Sequence, residues 1–387
     1  MYLRRACVLL ILAGLSGCGK PTTSGSVGSF TPSTPAIQAP APTPAAVTHS
    51  YNGTASVGDF LTIVINSTAS TISYTNLSNG DTGTLNYTVN ADGSYAITDP
   101  NGNLISAYEV PGYALVIQSA KSGPNHNTPA LITAVESGPI SLGTFANNSY
   151  NYMSFRTSFG GLEIGSVSIG PTSATNTNYW PYGNTNASET GGAFGGGPMD
   201  FSGLVESASG TYMSGPVGGT GGGTDTIFGT ASGFFIVDSP NGSIIGLQKA
   251  ASPAFDPSVA GTYNGIFYEK LNANNSGSTE TGTPSTDKAT IVISAAGNIT
   301  VTDSKNNTFI NAALIPVANA SNLYGSAGQL TDPCYGLFTF HVVTATYEHD
   351  VFVTFVGNSV VFSKYSVNLP WKEATGSYTY WYGVGLK

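Results

Sequence analysis

Apolar and polar positions alternate with a period of two along most of this chain, in short runs separated by Gly, Asn, Asp and Pro. That alternation puts successive side chains on opposite faces of a strand, and the punctuating residues supply turns. In "SYTYWYGVGLK", Tyr378, Tyr380, Tyr382, Val384 and Leu386 share one face, while Ser377, Thr379, Trp381 and two glycines share the other, the pattern of a half-buried strand. Strands are expected near 261–270, 288–295, 298–304, 307–316, 337–345, 350–357, 359–367 and 376–386. Eight antiparallel strands of this length suit a small closed barrel or a two-sheet sandwich. The segment 48–250 carries a longer series of the same kind, from "DFLTIVINS" to "SIIGLQK".

The expected fold class is therefore all-β, with antiparallel barrel or sandwich domains, two in tandem. The barrel form resembles the calycin and lipocalin type, a resemblance of fold that brings no activity with it. An N-terminal all-β domain, of one or two subdomains, spans 48–250, a Pro-containing linker 251–260, and an eight-stranded domain 261–387. "YNG" at 51–53 and 263–265, with "TIVI" at 62–65 and 290–293, hints that the two halves are related. "TDPNGN" at 98–103, "VDSPNGS" at 237–243 and "TDSKNNT" at 302–308 read as hairpins in which Asp99, Asp238 and Asp303 accept bonds from the turn backbone.

The first 47 residues differ. Arg4 and Arg5 precede a short apolar run that ends in Leu15-Ser16-Gly17-Cys18. This resembles the signal peptide and lipobox of bacterial lipoproteins, which implies removal of residues 1–17 and acylation of Cys18. Gly19 rather than Asp follows, which by the same resemblance implies outer-membrane sorting. Residues 18–47, with prolines at 21, 32, 35, 40, 42 and 44, lack apolar periodicity and read as a disordered tether. The expected location is the bacterial cell envelope, with the membrane as a partner through the lipid anchor.

Charge narrows the partners. Of 12 basic residues, Arg4 and Arg5 leave with the signal, so 10 face 21 acidic ones, and Arg156 is the sole remaining arginine. An acidic body of this kind excludes nucleic acid as a partner. With Cys7 removed and Cys18 acylated, Cys334 has no disulfide partner and is expected to be a small buried group.

Catalytic motifs are missing: there is no Gly-x-Ser-x-Gly elbow, HExxH helix or phosphate-binding loop, and no cofactor is expected. The glycine runs at 191–198 and 218–225 read as loops. His341, Glu348, His349 and Asp350 flank one hairpin turn, which makes His341 and His349 weak metal candidates against a reading as turn-capping polar groups. Tyr179, Trp180 and Tyr182 surround Pro181 in a Gly/Asn/Thr-rich loop at 170–198. Exposed, they could stack on a glycan or grip a partner protein; folded back, they would cover a barrel end. Arg156 either recognises an anion or pairs with Glu163 across a turn at Gly160-Gly161. The reading is a membrane-anchored, non-enzymatic binding, adhesion or envelope-interaction module for a glycan, a small apolar ligand or an envelope protein. An envelope glycan or peptide hydrolase and a passive structural lipoprotein are the alternatives.

Overall fold

The alternation resolves into three successive antiparallel meanders in a computed structural model. It describes residues 47–122, 128–156, 161–182, 199–217, 223–230, 233–240, 242–272, 283–317, 334–345, 347–368 and 378–387, all within one compact unit. The first meander is a closed barrel of eight strands in sequence order. Its strands are β1 (Thr48–Ala55), β2 (Phe60–Asn66), β3 (Thr71–Asn76), β4 (Thr82–Val89), β5 (Tyr95–Thr98), β6 (Leu104–Val110), β7 (Ala114–Ser122) and β8 (Thr128–Glu136). β8 returns to pair with β1 and so removes both sheet edges.

A one-turn helix, α1 (Leu142–Phe145), leads into the second sheet. That sheet comprises β9 (Ser149–Arg156), β10 (Gly161–Ile169), β11 (Ser173–Tyr182), β12 (Met199–Asp200), β13 (Val205–Glu206), β14 (Met213–Pro216), β15 (Thr224–Thr230), β16 (Phe234–Ser239) and β17 (Gly242–Gln248). A 3-10 turn at Pro257–Val259 precedes the third sheet. Its strands are β18 (Gly261–Asn272), β19 (Ser285–Ile293), β20 (Asn298–Thr302), β21 (Thr308–Ala313), β22 (Ile315–Pro316), β23 (Leu337–Val343), β24 (Tyr347–Val356), β25 (Ser359–Asn368) and β26 (Tyr378–Leu386).

Both nine-stranded sheets pair their first strand with their last, as the barrel does. Their free ends, β12 with β13 and β21 with β22, meet through the chain itself. In the third sheet only Leu314 separates β21 from β22, so the run 308–316 serves as one kinked strand bonded to β20 on one side and β23 on the other. Barrel-like closure, rather than a sandwich, is the outcome. The stretch 48–250 holds two of the three sheets.

The register repeats three times. Tyr51-Asn52, Tyr150-Asn151 and Tyr263-Asn264 occupy the opening strands. The asparagines face Thr62, Ser166 and Thr290 on the next strand, and Val135, Leu247 and Leu386 on the closing strand. The tyrosines face Ile63, Val167 and Ile291. Asn52 donates its side-chain amide to the Thr211 carbonyl of the second sheet at 2.8 Å. Asn151 donates in the same way to the Tyr335 carbonyl, in the segment just before β23, also at 2.8 Å. Both acceptors lie two residues before the strand that follows them, β14 and β23.

Each meander encloses apolar side chains, but the largest core lies between them. Phe60, Val116 and Leu131 from the outer face of the barrel join Met153, Phe155 and Phe228 of the second sheet and Tyr268, Tyr380 and Tyr382 of the third. The Phe155 ring lies 4.6 Å from that of Tyr268 and 5.5 Å from that of Tyr380, and Phe60 lies 5.4 Å from Phe228. β26, expected to be half-buried, is thus buried on both sides. Tyr380 and Tyr382 enter the shared core, while Trp381, Gly383 and Gly385 face the interior of the third sheet.

Those glycines are required by that crowding. A Cβ at Gly383 would stand 2.3 Å from Phe362 Cζ, and one at Gly385 2.4 Å from Ile291 Cδ1. Gly385→Ala is expected to destabilise the protein by about 1–3 kcal/mol through overpacking. Ile291→Val, which deletes the offending methyl, should recover part of that loss in the double variant. Denaturant titration of the four proteins of the cycle measures this coupling, and additive losses would contradict it.

Candidate ligand pocket in the first barrel

In an up-and-down meander successive turns fall at alternate ends. The turns around 67–70, 90–94 and 111–113 close one end of the barrel, and those around 56–59, 77–81 and 99–103 ring the other. The two ends are built from different side chains. At the first, Tyr51 Oη donates to Glu109 Oε1 at 2.5 Å, and Tyr95 Oη donates to Glu109 Oε2. The Gly112 amide donates to Tyr51 Oη at 3.2 Å, and the Tyr87 ring stacks on Tyr95 at 4.3 Å. Burial, and then the hydrogen bond to Glu109, push both phenols well above their ordinary pKa, so they stay neutral donors. This layer is the floor.

Above it the interior carries Ala55, Ala107, Ala130 and Ala134 interspersed with branched aliphatics. A cavity of about 380 Å³ results, walled by Leu61, Ile63, Ile72, Ile97, Ile117 and Ile132 and open at the second end. That volume lies within the range of small-ligand sites. Asp59, Asp81 and Asp99, with Asn76 and Asn101, form its mouth. Asp99 is fixed in its turn by the Asn101 and Asn103 amides, each at 2.8 Å, and by Asn103 Nδ2 at 2.7 Å. Asp303 holds its own turn in the same manner.

Asp238, expected to do likewise, departs from the pattern. It is buried where the barrel meets the second sheet and accepts a 2.5 Å bond from Thr54 Oγ1. Its carboxyl is raised well above the carboxylate range by burial, against the pull of Thr54, with the charges of Asp59 and Asp225 adding to the rise. Asp225 accepts from Ser239 Oγ at 2.6 Å, so the rim residue Asp59 and the junction share one group of buried acids.

The residues singled out from sequence lie elsewhere. Cys18, the tether up to residue 46 and the glycine run 191–198 fall outside the described residues. Tyr179, Trp180 and Tyr182 belong by backbone to β11, opposite Gly165, Ile164 and Leu162, which corrects the loop expectation. Their side chains fall outside the described residues. Arg156 ends β9 opposite Gly161 and Gly242; its side chain is likewise outside them, and Glu163 lies opposite Ser154. His341 Nδ1 bonds Asp350 Oδ1 at 2.5 Å as a cross-strand pair, whereas His349 lies opposite Val342, on the other face of β24 from Asp350. Among the described residues no three His, Cys, Asp or Glu side chains are placed to hold a metal ion. Cys334 is buried and accepts a hydrogen bond from Ser166 Oγ at 3.2 Å.

Comparison with known proteins adds little. No family model matches the chain, and no curated protein does. Among solved structures, a transferrin binding protein B double mutant from Haemophilus parasuis Hp5 is 7% identical over 88% of this chain and 76% of its own, with a TM-score of 0.22. Intact Ap-TbpB (N and C lobes) gives 8% identity over 87% and 76%, with a TM-score of 0.21. A luciferin-regenerating enzyme gives 11% over 87% and 95%, with a TM-score of 0.12. Scores of this size carry no argument about function, which rests on the cavity itself.

The acid junction makes a prediction. A carboxyl whose folded pKa lies above its unfolded value, about 3.9, contributes stability that is full below that pH and lost as pH rises toward the folded value. Asp238→Asn keeps an acceptor for Thr54 and cannot ionise. Its stability relative to the parent should therefore rise between pH 4 and pH 7 in urea titrations. An unchanged difference at the two pH values would contradict the burial of an ionisable Asp238.

Proposed function

We propose that this chain is a bacterial envelope lipoprotein, anchored through Cys18, whose first barrel is a non-enzymatic binding module for a small apolar molecule. The observation that carries the binding reading is the open aliphatic cavity, sealed beneath by the Tyr51–Glu109–Tyr95 layer. Such a cavity binds by displacing water from apolar walls. The anchor reading rests on Leu15-Ser16-Gly17-Cys18 and the Pro-rich segment after it, which would hold the barrel away from the bilayer. Among the described residues no helix is long and apolar enough to cross a membrane.

Two measurements test the two parts separately. Cys18→Ser should abolish incorporation of an alkynyl fatty acid in cells and move the protein out of the membrane fraction; unchanged labelling would refute the anchor. For the cavity, the neutral fluorophore N-phenyl-1-naphthylamine should bind the mature protein, and Leu85→Trp, which places an indole in the cavity, should weaken binding at least tenfold. Leu104→Trp, on the 78% exposed outer face of β6, serves as the control and should leave binding intact. Equal binding by Leu85→Trp and the parent would remove the cavity as the site.

A further inference from the structure

We infer that the ligand of the first barrel is a neutral molecule whose aliphatic part ends in a carbonyl oxygen, of the class of fatty ketones and esters. This inference rests on the cavity reading above and adds the chemistry of the head group to it. Its basis is a pair of hydrogen-bond donors that line the cavity without an acceptor of their own. Tyr74 and Asn76 are alternate residues of β3, opposite Ile63 and Leu61, and all four side chains line the cavity. Asn76 is only 5% exposed. Its side-chain oxygen accepts from the Ser78 amide at 3.0 Å, which orients the carboxamide and leaves its NH2 end to face a ligand. Among the described residues neither that nitrogen nor Tyr74 Oη has a hydrogen-bond partner.

Both donors are held in place. The Tyr74 ring lies over Gly83 of β4, where a Cβ would stand 2.7 Å from Cε1 and 2.8 Å from Oη. The Asn76 backbone amide donates to the Asp81 carbonyl at 2.7 Å, and its carbonyl accepts from the Gly80 amide at 2.8 Å. The pair sits at the end of β3 that leads into the mouth, and the aliphatic walls continue from it toward the floor. A ligand that displaces water here must bring an acceptor or leave these donors unpaired. A hydrocarbon would leave both unpaired, and an ammonium, which only donates, would leave the Asn76 nitrogen so. A carbonyl oxygen offers two lone pairs and carries no proton that needs a partner. A carboxylate would accept as well, but no lysine, arginine or histidine is among the described residues that line the cavity. A charge moved from water to apolar walls without a counter-charge costs more than bonds to uncharged donors return. At ~30 Å³ for each water-sized group, 380 Å³ admits about a dozen non-hydrogen groups, the size of 2-undecanone.

The test is displacement of N-phenyl-1-naphthylamine, which has no oxygen, from the mature protein by 2-undecanone at pH 7. The ratio of ketone affinity to probe affinity should fall about threefold or more in Tyr74→Phe, which removes the hydroxyl and keeps the ring. It should fall about tenfold or more when Asn76→Asp is added. That change keeps the oxygen that accepts from Ser78 but, as a carboxylate, has no proton to donate. Undecanoate and undecylamine, of the same chain length, should displace the probe only at higher concentrations than the ketone. An unchanged ratio in both variants would overturn the carbonyl head while leaving the apolar cavity as the site. Displacement by either charged compound at a lower concentration than the ketone would overturn the neutral head. A probe that never binds the parent protein would sink both readings together.

Discussion

The structure depends on burying the outer faces of its barrels. A lone antiparallel barrel turns polar side chains to water and keeps its apolar set inside. Here the strands that meet at the centre carry apolar residues on both faces, because each sheet uses a neighbour's exterior as its solvent. β18 shows the constraint in one line: Tyr263 and Phe267 point into the third sheet, while Ile266 and Tyr268 point into the shared core. The contact is specified by polar bonds as well as by packing. Tyr113 Oη reaches the Val356 carbonyl at 3.0 Å, Gln118 Nε2 reaches the Thr286 carbonyl at 2.7 Å, and Lys288 bridges to Asp92 at 3.3 Å. Partial burial opposes ionisation at Asp92, but hydrogen bonds from Ser94 and the Lys288 charge outweigh it and hold the carboxyl at about 2.

That arrangement decides which side of the first barrel faces solvent. β3 to β5 of the first barrel lie away from the shared core, and their outward positions are polar: Ser73, Thr75, Thr84 and Thr88. The cavity opens between the turns that lead into and out of these strands. One side of the barrel is clamped against its neighbours and the other faces solvent, so the mouth is held open by a wall that cannot collapse without disturbing the common core.

The strand pattern was legible because alternation needs only local sequence. All eight strand positions expected in 261–387 correspond to strands, but the run 307–316 is divided at Leu314 into β21 and β22, which makes nine strands where eight were expected. What a second face touches is not local. Trp381, Gly383 and Gly385 read as the wet side of a strand, yet they face a packed interior, and nothing in their spacing distinguishes the two. All three expected hairpins are present, at 98–103, 237–243 and 302–308, but Asp238 bonds Thr54, which is distant in sequence, where Asp99 and Asp303 hold their own turns. The Tyr-Asn repeat was visible at 51 and 263 but not at 150, where Tyr152 replaces the glycine that follows in the other two copies. The cavity residues had been noted only as strand residues, since a void leaves no mark in sequence. The recurrence of Asp59, Asp81 and Asp99 in alternate turns was the available signal, and it becomes readable only once the meander is counted.

The three sheets share a register yet differ in what they enclose. The third fills its interior with Tyr263, Phe267, Phe309, Phe362 and Trp381, with Lys364 Nζ 4.6 Å over the Trp381 ring and bonded to the Phe309 carbonyl at 2.7 Å. The first sets alanines and branched aliphatics at its centre and leaves the volume empty. A filled interior adds dispersion contacts and apolar burial, whereas a hollow one forgoes them. The hollow barrel can forgo them because its outer face already lies against the second and third sheets. Stability drawn from the exterior thus goes with a hollow interior in the first barrel, whereas the packed interior of the third sheet leaves no room for a Cβ at Gly385.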